Sequence, residues 1–426
     1  MSPLGMRSLW PGATIGVLGG GQLGRMMALA ARRMGYRVVV LDPSPRCPTA
    51  QVADGVVVGA LDDLEAARHL AKQVDVITLD TEHVPADVLD ELARIVPVRP
   101  GAGVLRTIQD RLTQKQFLDG LGMPQATWAP VGSAGELDAA LALVGRPAIL
   151  KVRRAGYDGK GQARVEPAPE TEGASGRWQP GPETEGASGR WQPGPETEGA
   201  SGRWQPGVDA VEALAKLRGE PAVAEALVRF TREISVVLAR GLGGEIRIYP
   251  IAENAHRRHV LHTTRAPAPM PETQRARAEG IAVTIAEALD HVGVLAVEMF
   301  ELPDGQLLVN ELAPRTHNSG HYTYGACVTS QFEQHVRAVC GLPLGDPRAM
   351  SGAVMLNLIG DLWQAGPPAW REVLSHPEAR LHLYGKDAPA PGRKMGHVLL
   401  LDDDTDRALR TAEQVLAALE RPVAAS

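Results

Sequence analysis

A short apolar run, Thr14–Leu18, precedes the glycine turn Gly19–Gly24. Then follows a segment, Gln22–Met34, in which Leu23, Met26, Met27, Leu29 and Ala30 recur at helical spacing. Val38–Leu41 is the next apolar run and ends at Asp42, so the chain opens on a strand, a helix and a strand. The alternation continues through Val56–Val58, a helical pattern at Leu64–Gln73, the run Val74–Leu79, a helical pattern at Pro85–Ile95 and the short run Val98–Pro100. Strands that alternate with helices predict a doubly wound parallel sheet for this first domain. Ala102–Leu121 reads as helical and leads into a second block of strands.

In that later block, Val208–Leu217 reads as a helix, Ala222–Leu227 and Glu233–Ala239 as strands, and Ile246–Glu253 as a strand after a Gly-Gly turn. Glu272–Val292 predicts a long helix, and Val294–Phe300 with Gln306–Leu312 a hairpin across Pro303-Asp304-Gly305. A helix at Gln331–Val339, a strand at Ala353–Ile359 and a Gly/Pro-rich, basic terminal region follow. The second half is therefore expected to be α+β.

Between Pro169 and Gly207 the thirteen residues PETEGASGRWQPG occur three times without a difference. Each copy has one tryptophan (Trp178, Trp191, Trp204) among Gly, Pro, Ser, Glu and Thr, with no apolar periodicity that could stack. Such a composition buries too little to offset its ordering entropy, which predicts an extruded surface insertion and leaves a tryptophan-based binding array as the alternative. Deleting Pro182–Gly207 should leave the melting temperature within a few degrees, because loop-closure cost grows slowly with length. A large drop in melting temperature would mean that the tryptophans pack on the protein.

At 426 residues and 44% hydrophobic composition, two or three domains are expected. The net charge of −6 offers no global positive field for nucleic acid. No apolar run reaches the roughly 18 residues of a membrane span. Cys47, Cys327 and Cys340 have no CxxC spacing and fit reduced thiols, and Met1–Pro11 lacks signal-peptide architecture, so a cytoplasmic protein is expected.

The densest chemistry lies at Ala148–Val165. A strand delivers Lys151, and Gly156-Tyr157-Asp158-Gly159-Lys160-Gly161-Gln162 follows, where three glycines allow close approach to a polyanion and two lysines supply charge. It is not a P-loop, because the lysine precedes the glycines and no Ser or Thr follows it. In the hairpin, reversal around Asp304 puts Glu298 opposite Asn310 and diagonal to Glu311, two carboxylates within reach of one magnesium ion. The polar loop Ala313–His321 brings Arg315, which can hold a planar anion, with Asn318 and Ser319 for a phosphate or imidazole ring. Tyr384-Gly385-Lys386-Asp387 with Arg393 and Lys394 is a further anion-binding candidate. Gly19–Gly24 fits G-x-G-x-x-G with Asp42 downstream, which alone suggests a dinucleotide site.

Three stretches, GVLGGGQLGRMMALAARRMGYRVVVLDP, AILKVRRAGYDGKGQ, and VNELAPRTHNSGHYT with YGKDAPAPGRKMGH, resemble the 5-(carboxyamino)imidazole ribonucleotide synthetases, ATP-grasp ligases of purine biosynthesis. The resemblance runs from about Thr14 to Leu400 and is broken only by the repeat. It implies an ATP-grasp fold with an N-terminal Rossmann-like domain at 1–111, a mobile lid region at 112–227 carrying the insertion 169–207, a catalytic domain at 228–360 and a small C-terminal domain at 361–426. It also implies carboxylation of aminoimidazole ribonucleotide by bicarbonate through carboxyphosphate, with ATP and Mg²⁺, without biotin, in a homodimer that binds neither nucleic acid nor membrane.

Residue by residue, the resemblance assigns Arg111, Lys151, Gly156, Tyr157, Asp158, Gly159, Lys160, Gly161 and Gln162 to the ATP phosphates. Glu225, Ala226, Leu227 and Val228 become the adenine hinge and Glu233 the ribose ligand, with His256, Asn310 and Glu311 as further nucleotide contacts. Glu298 and Glu311 match magnesium ligands. Gln22, Leu23, Glu82, Tyr157, Asp158, His317, Asn318, Ser319, Lys386 and Arg393 fall on the ribonucleotide side, the last two at its phosphate. Lys151, Asp158 and Arg315 are the expected catalytic groups. Thr81 and His83, where the family has an aromatic residue and an asparagine, depart from the pattern around Glu82. The rival readings are a formate-dependent ATP-grasp ligase, an NAD-dependent oxidoreductase built on the glycine turn, and a nucleotide-binding regulator without turnover.

Overall fold

The computed structural model describes residues 7–154, 156, 161–166 and 210–421. Tyr157, Asp158, Gly159, Lys160 and the repeat insertion lie outside the described residues. The chain forms two compact units, the larger comprising Met1–Gln125, Phe230–Ala255 and Val260–Ser426, the smaller Ala126–Arg229 with His256–His259.

The larger unit opens with β1 (Thr14–Leu18), α1 (Gln22–Arg33), β2 (Arg37–Asp42), β3 (Gly55–Val58), α2 (Leu64–Ala71), β4 (Val76–Leu79) and α3 (Ala86–Ala93). All four strands are parallel, in the order β3-β2-β1-β4. Alternate residues sort to opposite faces. Ile15, Val17, Val38, Val40 and Val76 pack with Leu23, Met26 and Met27 of α1. Val39, Leu41, Val57, Ile77 and Leu79 pack with Leu70 of α2 and Leu89 and Leu92 of α3. Helices on both faces make this the doubly wound sheet that the pattern predicts.

The predicted helix Ala102–Leu121 is instead two, α4 (Ala102–Ile108) and α5 (Arg111–Gly120). Asp110 breaks it, because its carboxylate caps the second helix by accepting the Leu112 N–H at 3.0 Å.

The smaller unit contains β5 (Trp128–Val131), α6 (Leu137–Val144), β6 (Ala148–Val152), β7 (Gln162–Val165), α7 (Ala210–Lys216) and β8 (Ala222–Ala226). Its antiparallel sheet, β5-β8-β6-β7, buries Ala129, Leu150, Val165 and Ala224 against Leu137 and Leu141 of α6 and Ala213 of α7.

The larger unit resumes with β9 (Arg232–Arg240), β10 (Ile246–Ile248), β11 (Ala252–Arg257), β12 (Val260–Ala266), α8 (Glu272–Ala288), β13 (Gly293–Glu301) and β14 (Leu307–Ala313). After these come α9 (Thr323–Ala326), α10 (Gln331–Cys340), β15 (Ala353–Ile359), α11 (Trp370–Leu374), β16 (Ala379–Leu383), β17 (Lys394–Leu401) and α12 (Thr405–Leu419). One nine-stranded sheet runs β14-β13-β9-β11-β12-β15-β17-β16, with β10 added beside β9. Helix α8 buries Ile281 and Ile285 against Leu238, Leu295 and Leu307, and α12 covers Val354, Leu356 and Val398 with Ala412 and Val415. Helix α10 packs Phe332 and Val336 onto the α1 face of the parallel sheet. The expected single strand Ile246–Glu253 is split by Tyr249-Pro250-Ile251, where the proline cannot donate to a ladder. Cys47, Cys327 and Cys340 are free and buried. Burial pushes the Cys327 and Cys340 thiols up to about 12.

Candidate active site

The glycine turn after β1 is already filled by carboxylates of the chain itself. Gly20 N–H donates to Asp42 Oδ2 at 2.8 Å, Gly21 N–H to Asp80 Oδ2 at 3.1 Å and Gly24 N–H to Asp80 Oδ1 at 2.6 Å. These are the groups that a dinucleotide phosphate would need at the start of α1. A Cβ on Gly21 would lie 2.6 Å from Asp80 Oδ2, so the glycine admits an internal anion rather than an external one. Asp80, just past the end of β4, is half-buried; desolvation pushes its carboxyl above the usual range, against the pull of the Gly24 N–H and the Arg315 charge. The turn holds Gln22 and Leu23 at the first turn of α1, and Leu23 is buried in the core there.

Two residues beyond Asp80, Glu82 grips Arg315. Arg315 Nη2 donates to Glu82 Oε1 at 2.9 Å and Nε donates to the other oxygen. Burial alone would raise the Glu82 carboxyl, but the charge and hydrogen bonds of Arg315 bring it down to about 2. A third donor, Nη1, reaches Thr316 O at 3.2 Å. A guanidinium has five N–H donors, so two remain on its outer edge for a planar anion.

The hairpin carries the carboxylate pair, with a different partner from the one its turn implies. Glu298 stands directly opposite Glu311, and Met299 opposite Val309, so a β-bulge leaves Asn310 extra. The apolar pattern enforces it. Leu307 and Val309 face the α8 core at a spacing of two, but the next core residue is Leu312, three further on. Without the bulge Leu312 would leave the core. The pair sits among other charges: Glu311 Oε2 is 3.5 Å from Arg111 Nη2, and Glu298 Oε1 is 3.3 Å from His317 Nε2. The Ser319 N–H donates to His317 Nδ1 at 3.3 Å, which leaves the proton on Nε2, toward Glu298. Ser319 Oγ also lies 2.8 Å from Nδ1. Two facing carboxylates suit a magnesium ion that takes its other oxygens from phosphates and water.

The loop 313–321 is held by residues that the sequence reading passed over. Gln331, fully buried, accepts the His317 N–H at 2.9 Å, donates to His317 O at 2.7 Å and lies 3.2 Å from His321 Nδ1. Asn357 exchanges amide hydrogen bonds with Asn318 at 2.6 and 3.2 Å. Gln331 opens α10 and Asn357 sits mid-strand among apolar residues; a buried amide in such a place was the available signal. Asp80 gave the same kind of signal, as a carboxylate ending an apolar strand.

Farther along, Lys386 Nζ donates to Lys394 O at 2.5 Å and Arg393 Nη1 to Ala388 O at 2.7 Å, so β17 and its preceding loop present both cations. Glu233 on β9 pairs with Phe300 and Asn254.

In the smaller unit, Lys151 on β6 and Glu225 on β8 are diagonal neighbours across the ladder, their charged atoms 3.2 Å apart. The backbone N–H groups of Ala226 and Leu227 donate to Thr127 O and Pro147 O, which fixes the Glu225–Val228 segment. Gln162 Nε2 is 3.4 Å from His259 Nδ1, beside His256. Gly156 and Gly161 flank the undescribed part of the lysine loop, and Gly161 takes φ +72°.

Profiles of three families match the chain: the ribonucleotide synthetase preATP-grasp domain at 12–109, the ATP-grasp domain at 116–180 and 204–332, and the phosphoribosylaminoimidazole carboxylase C-terminal domain at 353–411. The ATP-grasp match skips the middle of the repeat. The N5-carboxyaminoimidazole ribonucleotide synthase of Brucella melitensis biotype 1 is 44% identical over 92% of this chain and 97% of its own length. That of Bacillus subtilis is 39% identical over 93% and 94%. The crystal structure of N5-carboxyaminoimidazole synthase from Aspergillus clavatus with ADP and 5-aminoimidazole ribonucleotide superposes with a TM-score of 0.81 at 32% identity, covering 97% of this chain and all of that one.

Proposed function

Because the chain belongs to the N5-carboxyaminoimidazole ribonucleotide synthase family of ATP-grasp ligases, we propose that it carboxylates 5-aminoimidazole ribonucleotide with bicarbonate in purine biosynthesis. ATP is cleaved to ADP and phosphate. The observation that carries this reading is the Glu82-held Arg315 beside the His317–Ser319 loop, in the unit that also holds the Glu298 and Glu311 pair. A nicotinamide dinucleotide finds the N–H groups of the glycine turn taken by Asp42 and Asp80.

Bicarbonate is a poor electrophile. An oxygen of bicarbonate attacks the γ-phosphorus of ATP, ADP leaves, and carboxyphosphate forms; the two outer N–H groups of Arg315 hold the bicarbonate in line. The exocyclic amine then attacks the carbonyl carbon, or the CO₂ released from it, and inorganic phosphate departs. Asp158 takes the amine proton. Gln22, Glu82, His317, Asn318 and Ser319 orient the ribonucleotide, and Lys386 and Arg393 take its phosphate. Lys151 and the Gly156–Gln162 loop bind the ATP phosphates, Glu225–Val228 reads the adenine, and Glu233, His256, Arg111 and Asn310 complete the nucleotide contacts. Glu298 and Glu311 fit Mg²⁺, which when bound compensates charge on the transferring phosphoryl group. Activation by phosphorylation needs no biotin.

The division at 1–111, 112–227, 228–360 and 361–426, a homodimeric state and a cytoplasmic location belong to the same reading. Among the described residues no helix is long and apolar enough to cross a membrane.

ADP release that requires both bicarbonate and aminoimidazole ribonucleotide is the expected outcome of a steady-state assay. Dependence on formate instead would make the protein a different ATP-grasp ligase, and nucleotide binding without turnover a regulator. Lys386→Ala should raise the KM for the ribonucleotide about tenfold or more and leave the KM for ATP nearly unchanged, since it removes one charge-assisted contact to phosphate. An unchanged ribonucleotide KM would move the phosphate site elsewhere.

A further inference from the structure

The segment Tyr384–Asp387 is held at every residue. Tyr384 is buried, with its hydroxyl 2.9 Å from His397 Nδ1. The carbonyl of Gly385 accepts a hydrogen bond from Gln51 Nε2 at 2.5 Å. Lys386 Nζ is tied to Lys394 O, and Asp387 lies 3.3 Å from Arg46. The last pair is exposed on both sides and holds little.

Gln51 is the tie that comes from the N-terminal sheet domain. Its amide cannot be turned round, because Arg25 Nη1 donates to Gln51 Oε1 at 2.8 Å and to Pro48 O at 2.9 Å, and a guanidinium only donates. Oε1 therefore faces Arg25 and Nε2 faces Gly385. Gly385 has φ +69°, and a Cβ there would run into the Gln51 amide, so both its conformation and its lack of a side chain match this contact. Arg25 lies one turn along α1 from Gln22, so the relay Arg25–Gln51–Gly385 joins the helix that presents Gln22 to the loop that presents Lys386.

We infer that Gln51 is a positioning residue for the ribonucleotide phosphate: its hydrogen bond to the Gly385 carbonyl sets where Lys386 is presented relative to Gln22. This rests on the reading of Lys386 as a phosphate ligand. Gln51 is exposed and belongs to no core cluster, so its replacement leaves the fold intact.

The test is a kinetic cycle. Gln51→Ala should raise the ribonucleotide KM by about fivefold to tenfold, the size of one lost neutral hydrogen bond, with the KM for ATP and the melting temperature unchanged. Gln51→Glu keeps the acceptor for Arg25 but cannot donate to Gly385, and should show the same rise. In a Lys386→Ala background, Gln51→Ala should add less than about twofold, because residues acting through one contact are not additive. A normal ribonucleotide KM in Gln51→Ala or Gln51→Glu, or full multiplication of the two effects, overturns the assignment while Lys386→Ala still responds. If Lys386→Ala does not respond, the phosphate reading fails first and takes this inference with it.

Discussion

Glu298→Gln and Glu311→Gln should each lower kcat by at least about a hundredfold, a loss of roughly 2.7 kcal/mol of transition-state stabilisation. Stability should move the other way or not at all. The two carboxylates stand directly opposite in the ladder, and like charges in that relation destabilise a sheet pair by a few tenths to about 1 kcal/mol. Neutralising one relieves that repulsion. What is lost with Glu311 is a 3.5 Å pairing with Arg111 from a carboxylate that is 40% exposed, an interaction of small value. Metal-free melting temperatures equal to or slightly above that of the parent, together with the collapse in turnover, are the expected result. Near-normal turnover of both variants at limiting Mg²⁺ would remove the metal assignment; a large fall in melting temperature would recast the pair as structural.

Acidification should destabilise the protein well before its carboxylates titrate. His291, His321, His335 and His397 are completely buried, and His382 largely so. Burial pushes His291 and His382 down to about 4, His335 to about 3, and His321 and His397 well below the ordinary value. His335 illustrates the cause: its Nδ1 accepts the Val294 N–H at 3.0 Å, so its one proton is on Nε2, 2.7 Å from Thr78 Oγ1. A second proton would oppose the Val294 donor. These histidines stay neutral in the fold while the unfolded chain takes up protons below the ordinary histidine value, so the unfolded state binds more protons and stability falls with pH. The contribution is complete above about pH 6.5 and is lost progressively down to the folded-state values. At about pH 5.5 the loss is roughly 1.4 kcal/mol per histidine, hence about 5.6 kcal/mol for the four fully buried ones, a large share of a typical folding free energy. Asp80, whose folded value is raised, offsets part of this as the pH falls further. Glu82, held at about 2, keeps its contribution down to about pH 4.5 and loses it progressively below that. Denaturant midpoints at about pH 7.5 and 5.5 check the sign, and equal midpoints would contradict the burial argument.

The first domain was legible because its elements are self-announcing. Apolar runs of four or five residues, each followed by a helical stripe, leave one arrangement in which both faces of a parallel sheet are covered, and β1, α1, β2 and α2 lie close to where the pattern puts them. What failed was local polar chemistry acting against the pattern. Asp110 interrupts a continuous helical stripe by capping, and the β-bulge after Val309 changes the partner of Glu298 from Asn310 to Glu311. The second was readable in principle, as the change of apolar spacing from Leu307 and Val309 to Leu312. The terminal strands β16 and β17 are masked in sequence by histidines, a lysine and a glycine. His382 and His397, stacked with ring centroids 4.6 Å apart, are internal there, so polarity no longer marks the surface. Helix α12 needed only its Ala408, Ala412, Val415 and Leu419 spacing to be found. In the site, charged residues in loops were found from type and motif, whereas Asp80, Gln331, Asn357 and Gln51 escaped because they touch other protein groups, and such contacts join residues far apart in the chain.

The carboxylate-filled glycine turn bears on how this domain responds to its surroundings. A phosphate-binding turn normally gains stability from its ligand in proportion to the logarithm of ligand concentration. Here Asp42 and Asp80 are covalently part of the chain, so that gain is constant and the first turn of α1 is ordered before any nucleotide arrives. Titrating a nicotinamide dinucleotide should therefore leave the unfolding midpoint where it was, and the order of this turn is independent of nucleotide supply.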